Sequence, residues 1–574
     1  MTALTAPEMT PGRDLLDQGR KLAETWTLGR NAFLDAENVV SEAEYKRRRA
    51  AEGRIMQHAH IGFRSIDRTV GAIREIQETA ANEGITVDRF GITLDWTMGY
   101  PPDRRDAAQT GTGIVLQGPE DFARITNASP AASHFGDFML GLPGGLHNVQ
   151  AALAAGATAI GNLGQYFTFR LPYWDDDVAT TEATVTAIGL IAAQPAEVLI
   201  HSNLDDGFVG LYRDMTSSLG TVLIEKHIVE DLIGARLSYC WGHHFSNPAS
   251  RAAFHAAMAR VTDTPGTMLY GNTVAYRRSP AANYASLASY LLADITALGR
   301  SHTGHAINPV PVTENQRIPD VDEILDAQRF AARLVEHAPE HGALIDVAQI
   351  DALADRLMEG GLAFKQRAMS GLADRGVDVT DPAALLLAIR RLGAHGMETL
   401  FGNRATKPLV PVDWALELDR DAAAWCARQT PPRGLAALKV ALGTSDVHEH
   451  GAYLVREALS GLGVTAVEVG TSLDAEQLVD RALAKGAGVI AVSTYNGLGL
   501  RYTKAVLAAL EKRGAALSLL IGGKLNEIPA ASNTDLPVDV TEEIRATGAY
   551  PCANLDEMLA ALTRIAERRP AKAG

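Results

Sequence analysis

The chain has 574 residues, of which 47% are hydrophobic and 21% charged, a composition typical of soluble globular proteins. A chain of this length exceeds one hydrophobic core, so we expect about two or three domains. The formal net charge of −15 argues against a nucleic-acid-binding surface, because phosphates require a basic face. The sequence contains no run of about 18 apolar residues, which a membrane span would require. The N-terminus lacks the pattern of a secretory signal peptide.

The three cysteines are widely spaced and form no CxxC pair. They supply neither a disulfide framework nor a thiolate metal site. This usage is typical of a reducing compartment and predicts a cytoplasmic protein. The cysteines are Cys240, Cys426 and Cys552.

The first part of the chain has the pattern of a helical lead-in followed by a barrel. The lead-in, residues 1–50, ends in the basic run YKRRRAAEGR, which we interpret as a solvated helix face. From residue 51 strand-like and helix-like segments alternate, for example FGITLDW and then DFARITN. Such alternation predicts parallel βαβ units, and roughly eight of them favour a (β/α)8 TIM-like barrel. We assign residues 51–401 to this barrel and its helical C-terminal part.

The composition changes after the barrel. Residues 402–436 are rich in proline, which predicts a linker. Residues 437–574 then show a second α/β pattern, in which strands such as ALKVALGTS and GVIAVST are each followed by a helix. Short turns with glycine and serine favour a doubly wound, flavodoxin-like (Rossmann-like) sheet, whose ligand binds at the carboxyl ends of the strands.

A metal-ligand pattern follows the first strand of this second domain. The segment TSDVHEHG contains Asp446, His448 and Gly451. A neutral imidazole is a good ligand for cobalt, and a carboxylate two residues away can accept the other ring N–H and fix the tautomer. A glycine lets the backbone pass close to a large flat ligand. The alternative is a surface loop with a helix-capping aspartate and a solvent-exposed histidine.

Two further strand ends favour the ligand site over that alternative. The third strand of the domain ends in VSTYNGLG and the fourth in IGGKLN. Small hydroxyl residues and glycines at three successive strand ends predict a slot beside the sheet. The residues in these two segments are Ser493, Thr494, Gly497, Gly499, Gly522 and Gly523.

With these three motifs in register, residues 437–560 resemble the small, cobalamin-binding subunit of glutamate mutase (methylaspartate mutase). The resemblance implies that adenosylcobalamin binds base-off, with His448 as the axial cobalt ligand. It also implies that the remaining motif residues surround the cofactor and its nucleotide tail. They are Ser445, Asp446, Gly451, Ser493, Thr494, Gly497, Gly522 and Gly523.

The barrel is similar to the large subunit of the same enzyme, over about residues 50 to 400. GRIMQHAHIG resembles the family's opening strand, and GNLGQYFTFRLPY places Tyr173 at a tyrosine that contacts substrate. Tyr173 holds the second tyrosine position of the family's motif, and Phe169 holds the first, so the first hydroxyl is missing here. VTENQRIPD makes Glu314 the contact to the adenosyl ribose, and Val310 stands where the family has a lysine.

The departures from the family concern the groups that hold glutamate. The family binds the substrate carboxylates with arginines, which form bidentate pairs. The matching segments here, WTMGYPPDRR and MLGLPGG, have no arginine at the family's positions. Arg104 and Arg105 could substitute only if their loop folds into the barrel. Leu163 replaces the glutamate that binds the ammonium group. We therefore expect a small organic acid other than glutamate as the substrate.

Four histidines are candidate catalytic residues. His243 and His244 follow a predicted strand at its carboxyl end, where barrel enzymes place catalytic groups, although a structural pair is the alternative. His58 and His60 alternate on one predicted strand, so both point into the bore or both point outward. Asp95 and Arg170 lie near strand ends and are further candidates, whereas the acidic run at 175–177 is interpreted as a solvated loop.

The two resemblances together imply an adenosylcobalamin-dependent carbon-skeleton mutase, an isomerase that performs a radical 1,2-rearrangement of a small-molecule substrate. They also imply a homodimer formed through the barrel. Three alternatives remain open. An acyl-CoA mutase would need a bore lined by small polar residues; a corrinoid methyltransferase and a non-catalytic cobalamin-binding protein are the other two.

Overall fold

The computed structural model describes residues 3–108, 110–111, 113–276, 279–403, 407–432, 434–495, 497–527 and 537–568. The chain divides into two compact units. The first comprises Met1–Thr168 and Asp176–Asp413, and the second comprises Phe169–Asp175 and Trp414–Gly574.

The described part of the first unit contains a closed barrel of parallel strands in the order β1 to β8, which confirms the predicted TIM-like barrel. Neighbours along the chain are neighbours in the barrel, and β8 closes it by pairing with β1. The strands are β1 (Met56–Ile61), β2 (Arg89–Ile92), β3 (Ala132–Phe135), β4 (Ala159–Gly161), β5 (Leu199–Asn203), β6 (Arg236–Trp241), β7 (Met268–Leu269) and β8 (Ala306–Ile307).

Helices precede, surround and follow these strands. Most begin at a side-chain cap, such as Ser65 before α4 or Asn247 before α11. The helices are α1 (Gly12–Ala23), α2 (Ala32–Ala36), α3 (Glu42–Ala51), α4 (Ile66–Asn82), α5 (Pro102–Arg105), α6 (Pro119–Thr126), α7 (Gly145–Ala154), α8 (Gly164–Thr168), α9 (Asp177–Ala192), α10 (Met215–Lys226), α11 (Pro248–Val261), α12 (Pro280–Arg300), α13 (Val321–Glu336), α14 (Ala338–Gly342), α15 (Val347–Ala373) and α16 (Pro382–Phe401).

Helix α3 of the lead-in closes the N-terminal end of the barrel. Its Glu42 accepts a hydrogen bond from Arg89 Nε at 2.9 Å and pairs with Lys46 at 3.5 Å. Lys46 Nζ also donates to the backbone carbonyls of Thr267 and Gly304, at 3.0 Å each. The three charged side chains are at most 2% exposed. Buried charges of both signs therefore fill this end of the bore, and each has a partner.

The burial of α3 corrects the interpretation of its basic run as a solvated face. Tyr45 and Lys46 are buried, whereas Arg47 is 47% exposed and pairs with Glu197. Neighbouring residues of the run face different sides of the helix, because the helix turns by about 100° per residue. Burial, with the charge of Arg89 nearby, lowers the pKa of Lys46 to about 7.

The second unit contains, in its described residues, a five-stranded parallel sheet in the order β10-β9-β11-β12-β15. This order confirms the predicted flavodoxin-like domain. A two-stranded antiparallel ribbon, β13 with β14, lies beside it. The strands are β9 (Lys439–Thr444), β10 (Thr465–Gly470), β11 (Val489–Thr494), β12 (Ser518–Gly523), β13 (Asn526–Glu527), β14 (Val538–Asp539) and β15 (Tyr550–Cys552).

Alternate residues of the sheet face two separate apolar cores, as expected for a sheet with helices on both faces. On β11, Ile490 and Val492 belong to one core, while Val489 and Ala491 belong to the other. The helices that cover the sheet are α18 (His450–Gly461), α19 (Ala475–Ala484), α20 (Gly499–Lys512), α21 (Thr541–Ala546) and α22 (Leu555–Arg568).

The predicted linker, residues 402–436, contains a helix, α17 (Asp413–Cys426), and the boundary between the units falls at its first residue. The prolines lie on either side of this helix and do not interrupt it. Its Trp414 packs edge-on against the rings of His450 and Tyr453, at 4.5 and 5.0 Å. Residues 404–406 and 433 of the predicted linker lie outside the described residues.

Among the described residues, no helix combines the length and the hydrophobicity that crossing a bilayer requires.

The network on α3 predicts the effect of removing its lysine. In Lys46→Met, Glu42 loses one of its two cations and two buried carbonyls lose their donor, so we expect a loss of about 3 to 5 kcal/mol in the free energy of unfolding. The neighbouring Arg47→Met removes only a surface pair and should cost less than about 1 kcal/mol. Urea unfolding followed by circular dichroism compares the two variants. Equal losses in both would contradict the assignment.

A buried glutamate predicts part of the pH dependence of stability. Burial raises the pKa of Glu225 to about 7, although Ser202 Oγ donates to Oε1 at 2.7 Å. Between about pH 4.5 and 7 the native state keeps a proton that the unfolded state has released. The stability that this group contributes is therefore complete below pH 4.5 and is lost as the pH rises through 7.

We expect Glu225→Gln to remove this loss, which is on the order of 3 kcal/mol. Urea midpoints at pH 5, 6, 7 and 8 should fall less steeply for the variant than for the wild type. Glu75→Gln, at an exposed position on α4, serves as the control and should keep the wild-type slope. A Glu225→Gln variant with the wild-type slope would show that Glu225 is ionised in the native state.

Candidate functional site

The carboxylate of Asp446 organises the loop that follows β9. Its Oδ1 accepts hydrogen bonds from the backbone N–H of His448 at 3.0 Å and from the His448 ring, with Nδ1 at 2.7 Å. Its Oδ2 accepts from the backbone N–H of Tyr495 at 2.8 Å and from Ser445 Oγ at 3.1 Å. Asp446 thus connects the loop after β9 to the loop after β11, at the carboxyl end of the sheet.

The imidazole of His448 is presented outward from this loop. Its side chain is 43% exposed, while that of Asp446 is 5% exposed. Because Nδ1 bonds to the carboxylate, Nε2 is the ring nitrogen that remains to bind a metal. Burial alone would raise the pKa of Asp446, but the hydrogen bonds from His448 and Tyr495 outweigh it and lower the pKa. Asp446 is therefore a carboxylate at neutral pH.

Tyr495 and Lys524 belong to this site and were not predicted as functional. The Tyr495 ring lies 4.3 Å from the His448 ring at an angle of 31°, and the Lys524 ammonium lies 4.3 Å from the Tyr495 ring centroid. Both residues adjoin predicted motifs, VSTYNGLG and IGGKLN. Their positions at strand ends could therefore have indicated a place in the site. The sequence did not indicate that Tyr495 stacks on His448 or that Lys524 lies over Tyr495.

Glycines of the predicted motifs lie close to neighbouring protein atoms. A Cβ on Gly451 would lie 2.6 Å from Ser493 Oγ, and one on Gly523 would lie 2.2 Å from the carbonyl oxygen of Thr494. Gly523 has a φ of +97°, which favours glycine in any surroundings. A Cβ on Gly522 would lie 3.1 Å from the Cys552 carbonyl oxygen. Small residues are thus required at three of the predicted positions.

Two buried hydroxyls near these glycines have no protein partner among the described residues. They are Thr494 Oγ1, which was predicted, and Ser472 Oγ, which was not. Gly497 has a φ of +70°, and a Cβ there would meet nothing closer than 3.9 Å. The strand ends therefore offer free hydrogen-bonding groups and open space to a ligand.

The side chains of this site fit a metal that is already coordinated by a macrocycle. Within the described ranges, no group of three or more histidine, cysteine, aspartate or glutamate side chains could hold a metal ion. His448 alone cannot retain a free ion against water. A single imidazole can, however, complete the coordination of a metal held in a macrocycle, such as the cobalt of a corrin ring. The exposed ring, the glycines and the free hydroxyls fit such a cofactor.

The barrel of the first unit has a separate cavity of about 110 Å³ towards the carboxyl ends of its strands. Four of the residues around it are histidines that come from β1, β3, β5 and the loop after β6. Of these, only His60 and His243 were predicted; His134 and His201 were not. The lining residues are His60, Ile92, His134, Gly136, Asp137, His201, Asn203, Asp206, His243, Met268 and Tyr270.

The histidines on the strands are neutral. Burial, with the charge of Arg89 nearby, lowers the pKa of His58, His134 and His201 well below its usual value and that of His60 to about 4. The His58 ring lies 5.9 Å from His60 and 6.1 Å from His134, so both predicted strand histidines point into the bore. His58 lies deeper and is not among the residues lining the cavity.

His243 and His244 are held by a carboxylate. Both backbone N–H groups donate to Asp205, at 2.9 and 3.2 Å, and His244 Nδ1 lies 3.2 Å from the same group. His243 Nδ1 lies 2.9 Å from Thr273 Oγ1 and its ring lines the cavity. The ring of His243 is thus placed to contact a ligand. His244 instead bonds to Asp205, the carboxylate that also holds the backbone of His243.

The remaining predicted residues of the barrel lie apart from the cavity lining. Arg105 is buried and donates to the carbonyls of residues 98 and 100 and to Asn148, and Arg104 is exposed. Asp95 caps a short helix through Thr97. Glu314 lies in the turn after β8, and its charge, after burial, contributes to the raised pKa of Tyr270. Arg105 is therefore part of the protein's internal hydrogen bonding, and Arg104 lies on the surface.

Tyr173 and Arg170 belong to the segment Phe169–Asp175, which groups with the second unit. Tyr173 has a φ of +56°, and its side chain is 71% exposed. Its backbone N–H donates to the carboxylate of Asp474 at 3.1 Å. Phe169 is buried. Tyr173 is not among the residues that line the barrel cavity.

The contact between Gly451 and Ser493 predicts a pair of coupled substitutions. Gly451→Ala forces its new methyl group against Ser493 Oγ, which should cost about 1 to 3 kcal/mol of stability. In the double variant Gly451→Ala, Ser493→Ala the nearest atom is Cβ at 3.7 Å, an ordinary contact.

We therefore expect the double variant to be more stable than Gly451→Ala by at least about 1 kcal/mol, because it lacks the Ser493 Oγ that the new methyl group would meet. Thermal unfolding of both single variants and the double variant measures the coupling. Additive effects would contradict the contact.

Comparisons with known proteins relate part of the chain to a mutase subunit. No family model matches the chain. The chain is 32% identical over 131 residues to the 2-hydroxyisobutanoyl-CoA mutase small subunit of Aquincola tertiaricarbonis, covering 23% of this chain and 91% of that protein. A crystal structure of a cobalamin-binding protein from Desulfitobacterium hafniense is 16% identical and covers 41% of this chain and 91% of that one; its TM-score of 0.20 supports no structural conclusion. By the first similarity, the chain belongs to the family of the 2-hydroxyisobutanoyl-CoA mutase small subunit.

Proposed function

We propose that the protein is a cobalamin-dependent mutase whose second unit binds the cofactor through His448. The observation that carries this proposal is the geometry of that residue, a 43% exposed imidazole oriented by a buried carboxylate at 2.7 Å, beside strand ends rich in glycine and small hydroxyl residues. The relation to a mutase small subunit supports it, since that relative matches over most of its own length.

In this proposal His448 Nε2 would bind the cobalt, and Asp446 would keep the ring in the required tautomer and orientation. Ser445, Ser493, Thr494 and the glycines of β12 line the slot for the nucleotide tail. Bound there, adenosylcobalamin would supply the carbon-radical chemistry that a skeletal rearrangement requires. The chain itself contributes binding, orientation and the exclusion of water.

The barrel of the first unit is the proposed substrate-binding domain. Its cavity lies at the carboxyl ends of the strands, where barrel enzymes bind their substrates. Neutral histidines and Tyr270 form much of its wall, so the wall supplies hydrogen bonds without a strong base. A buried cavity of this kind keeps water away from a reactive intermediate. We propose that His243 and His60 contact the substrate.

The bore argues for a small substrate and against an acyl-CoA ester that enters along the barrel axis. The named relative acts on a CoA ester, and an extended thioester would need a bore lined by small residues. Here the rings of His58, His134 and His201 lie in the bore, and Lys46 and Arg89 fill its N-terminal end. The cavity of about 110 Å³ is well below the roughly 300 Å³ at which pockets begin to hold drug-sized ligands. A rearrangement of the glutamate mutase type, on a small substrate other than glutamate, is the specific reaction we propose.

The axial-ligand proposal is tested by anaerobic titration of the purified protein with adenosylcobalamin, followed by electron paramagnetic resonance of the reduced cob(II)alamin form. The wild type should show superhyperfine coupling from one nitrogen, which changes its splitting when the protein is labelled with ¹⁵N-histidine. His448→Ala should lose this coupling and bind at least about tenfold more weakly.

The matched control is His395→Ala, at an exposed position on α16, which should bind as the wild type does. Unchanged affinity and coupling in His448→Ala would overturn the proposal. If binding is as expected but no free acid, amine or acyl-CoA triggers a substrate-dependent radical signal, the mutase activity fails and a carrier or methyl-transfer function takes its place. A signal with acyl-CoA alone would overturn the argument from the bore.

A further inference from the structure

The barrel cavity contains two carboxyl groups that the proposed chemistry does not use. Asp137 follows β3 and Asp206 follows β5, and both line the cavity. The side-chain amide of Asn162 lies between them, donating to Asp206 Oδ2 at 2.7 Å and to Asp137 Oδ1 at 3.4 Å. Asn203 is a further partner of Asp206. Two acids from the loops after β3 and β5 are therefore held on one amide beside the cavity.

Ionisation of the two acids is unfavourable where they lie. Burial raises the pKa of both carboxyls, and the charge of Asp137 raises the pKa of Asp206 further. The neighbouring Asp205 differs, because the histidine pair after β6 hydrogen-bonds to it and lowers its pKa. None of the described residues that line the cavity is an arginine or a lysine. The described lining of the cavity thus supplies no arginine or lysine to balance the acid pair.

An independent observation points to a ligand in the same space. The Nδ1 atom of His134 is buried and has no hydrogen-bond partner among the described residues, and the residue is 2% exposed and lines the cavity. Its ring is neutral, so it can accept a hydrogen bond. A buried polar atom without a partner costs free energy unless a ligand or water satisfies it.

We propose that this cavity binds the ammonium group of a small primary amine, with Asp137 and Asp206 as the anionic partners. An ammonium group donates three hydrogen bonds and carries the charge that the acid pair lacks. Neutral histidine and asparagine side chains around the pair supply further acceptors. A dicarboxylate would instead place its charges against two acids with no guanidinium in the described lining.

This assignment rests on the proposed mutase function and replaces the expected small organic acid with an amine as its substrate class. The cavity volume of about 110 Å³ limits the ligand to a few heavy atoms beyond the nitrogen. An amino alcohol or a short amino compound fits this limit and an extended thioester does not.

Isothermal titration calorimetry of the full-length protein tests the charge requirement with three probes of similar size: 2-aminopropan-1-ol, propane-1,2-diol and lactate. We expect the amine to bind at least about tenfold more tightly than the diol and the carboxylate not to compete with it, because charge-assisted hydrogen bonds exceed neutral ones. Equal binding of amine and diol, tighter binding of lactate, or no binding of the amine would each overturn the inference. This comparison uses the wild type alone and needs no variant to fold.

Substitutions then locate the site. Asp206→Asn and Asp137→Asn should each weaken the amine at least about tenfold, while Asp326→Asn, an exposed acid on α13, should not. Wild-type affinity in both cavity variants would place the amine elsewhere and overturn the assignment.

The His448→Ala variant separates the two proposals. If this variant no longer binds cobalamin but still binds the amine, the cavity assignment stands independently of the cofactor. If the wild type binds cobalamin but not the amine, the cavity assignment alone fails.

Discussion

The hydrogen bonds to Asp446 are the interaction on which the candidate cofactor site depends. One carboxylate accepts from a backbone N–H and a ring nitrogen of His448 and from the backbone of Tyr495, so it fixes two strand-end loops and one side chain together. Its burial would favour protonation, and the same hydrogen bonds keep it ionised. The orientation of the imidazole, the position of the stacked tyrosine and the opening between the strand ends all follow from this arrangement.

The first unit is governed by a related constraint, since charges inside a barrel must be paired. Glu42, Lys46 and Arg89 satisfy one another at the N-terminal end of the bore, and burial, with the positive charge of Arg89 nearby, lowers the pKa of the histidines above it. The other end holds acids without a described cation. The barrel therefore separates its charges along its axis, with the structural network at one end and the ligand cavity at the other.

Local patterns were sufficient to predict much of the fold and the cofactor site. Alternating strands and helices predicted the barrel and the doubly wound sheet, because each βα unit is encoded within a few tens of residues. Asp446 and His448 are two residues apart, so their pairing is also local. His134, His201 and the Asp137–Asp206 pair could not be found this way, since barrel closure brings them together from β3 and β5. The lysine of α3 was misjudged because a basic run gives no indication of which residue a later strand will bury.

That lysine also has a consequence for synthesis. Lys46 emerges from the ribosome long before its carbonyl partners, which lie 221 and 258 residues further along the chain. Helix α3 can contact Asp88 and Arg89 early, but the partners of its buried ammonium are complete only when Thr267 and Gly304 have been made. Such non-local contacts delay folding. A nascent chain that stops before residue 304 leaves Lys46 without one of its two carbonyl partners.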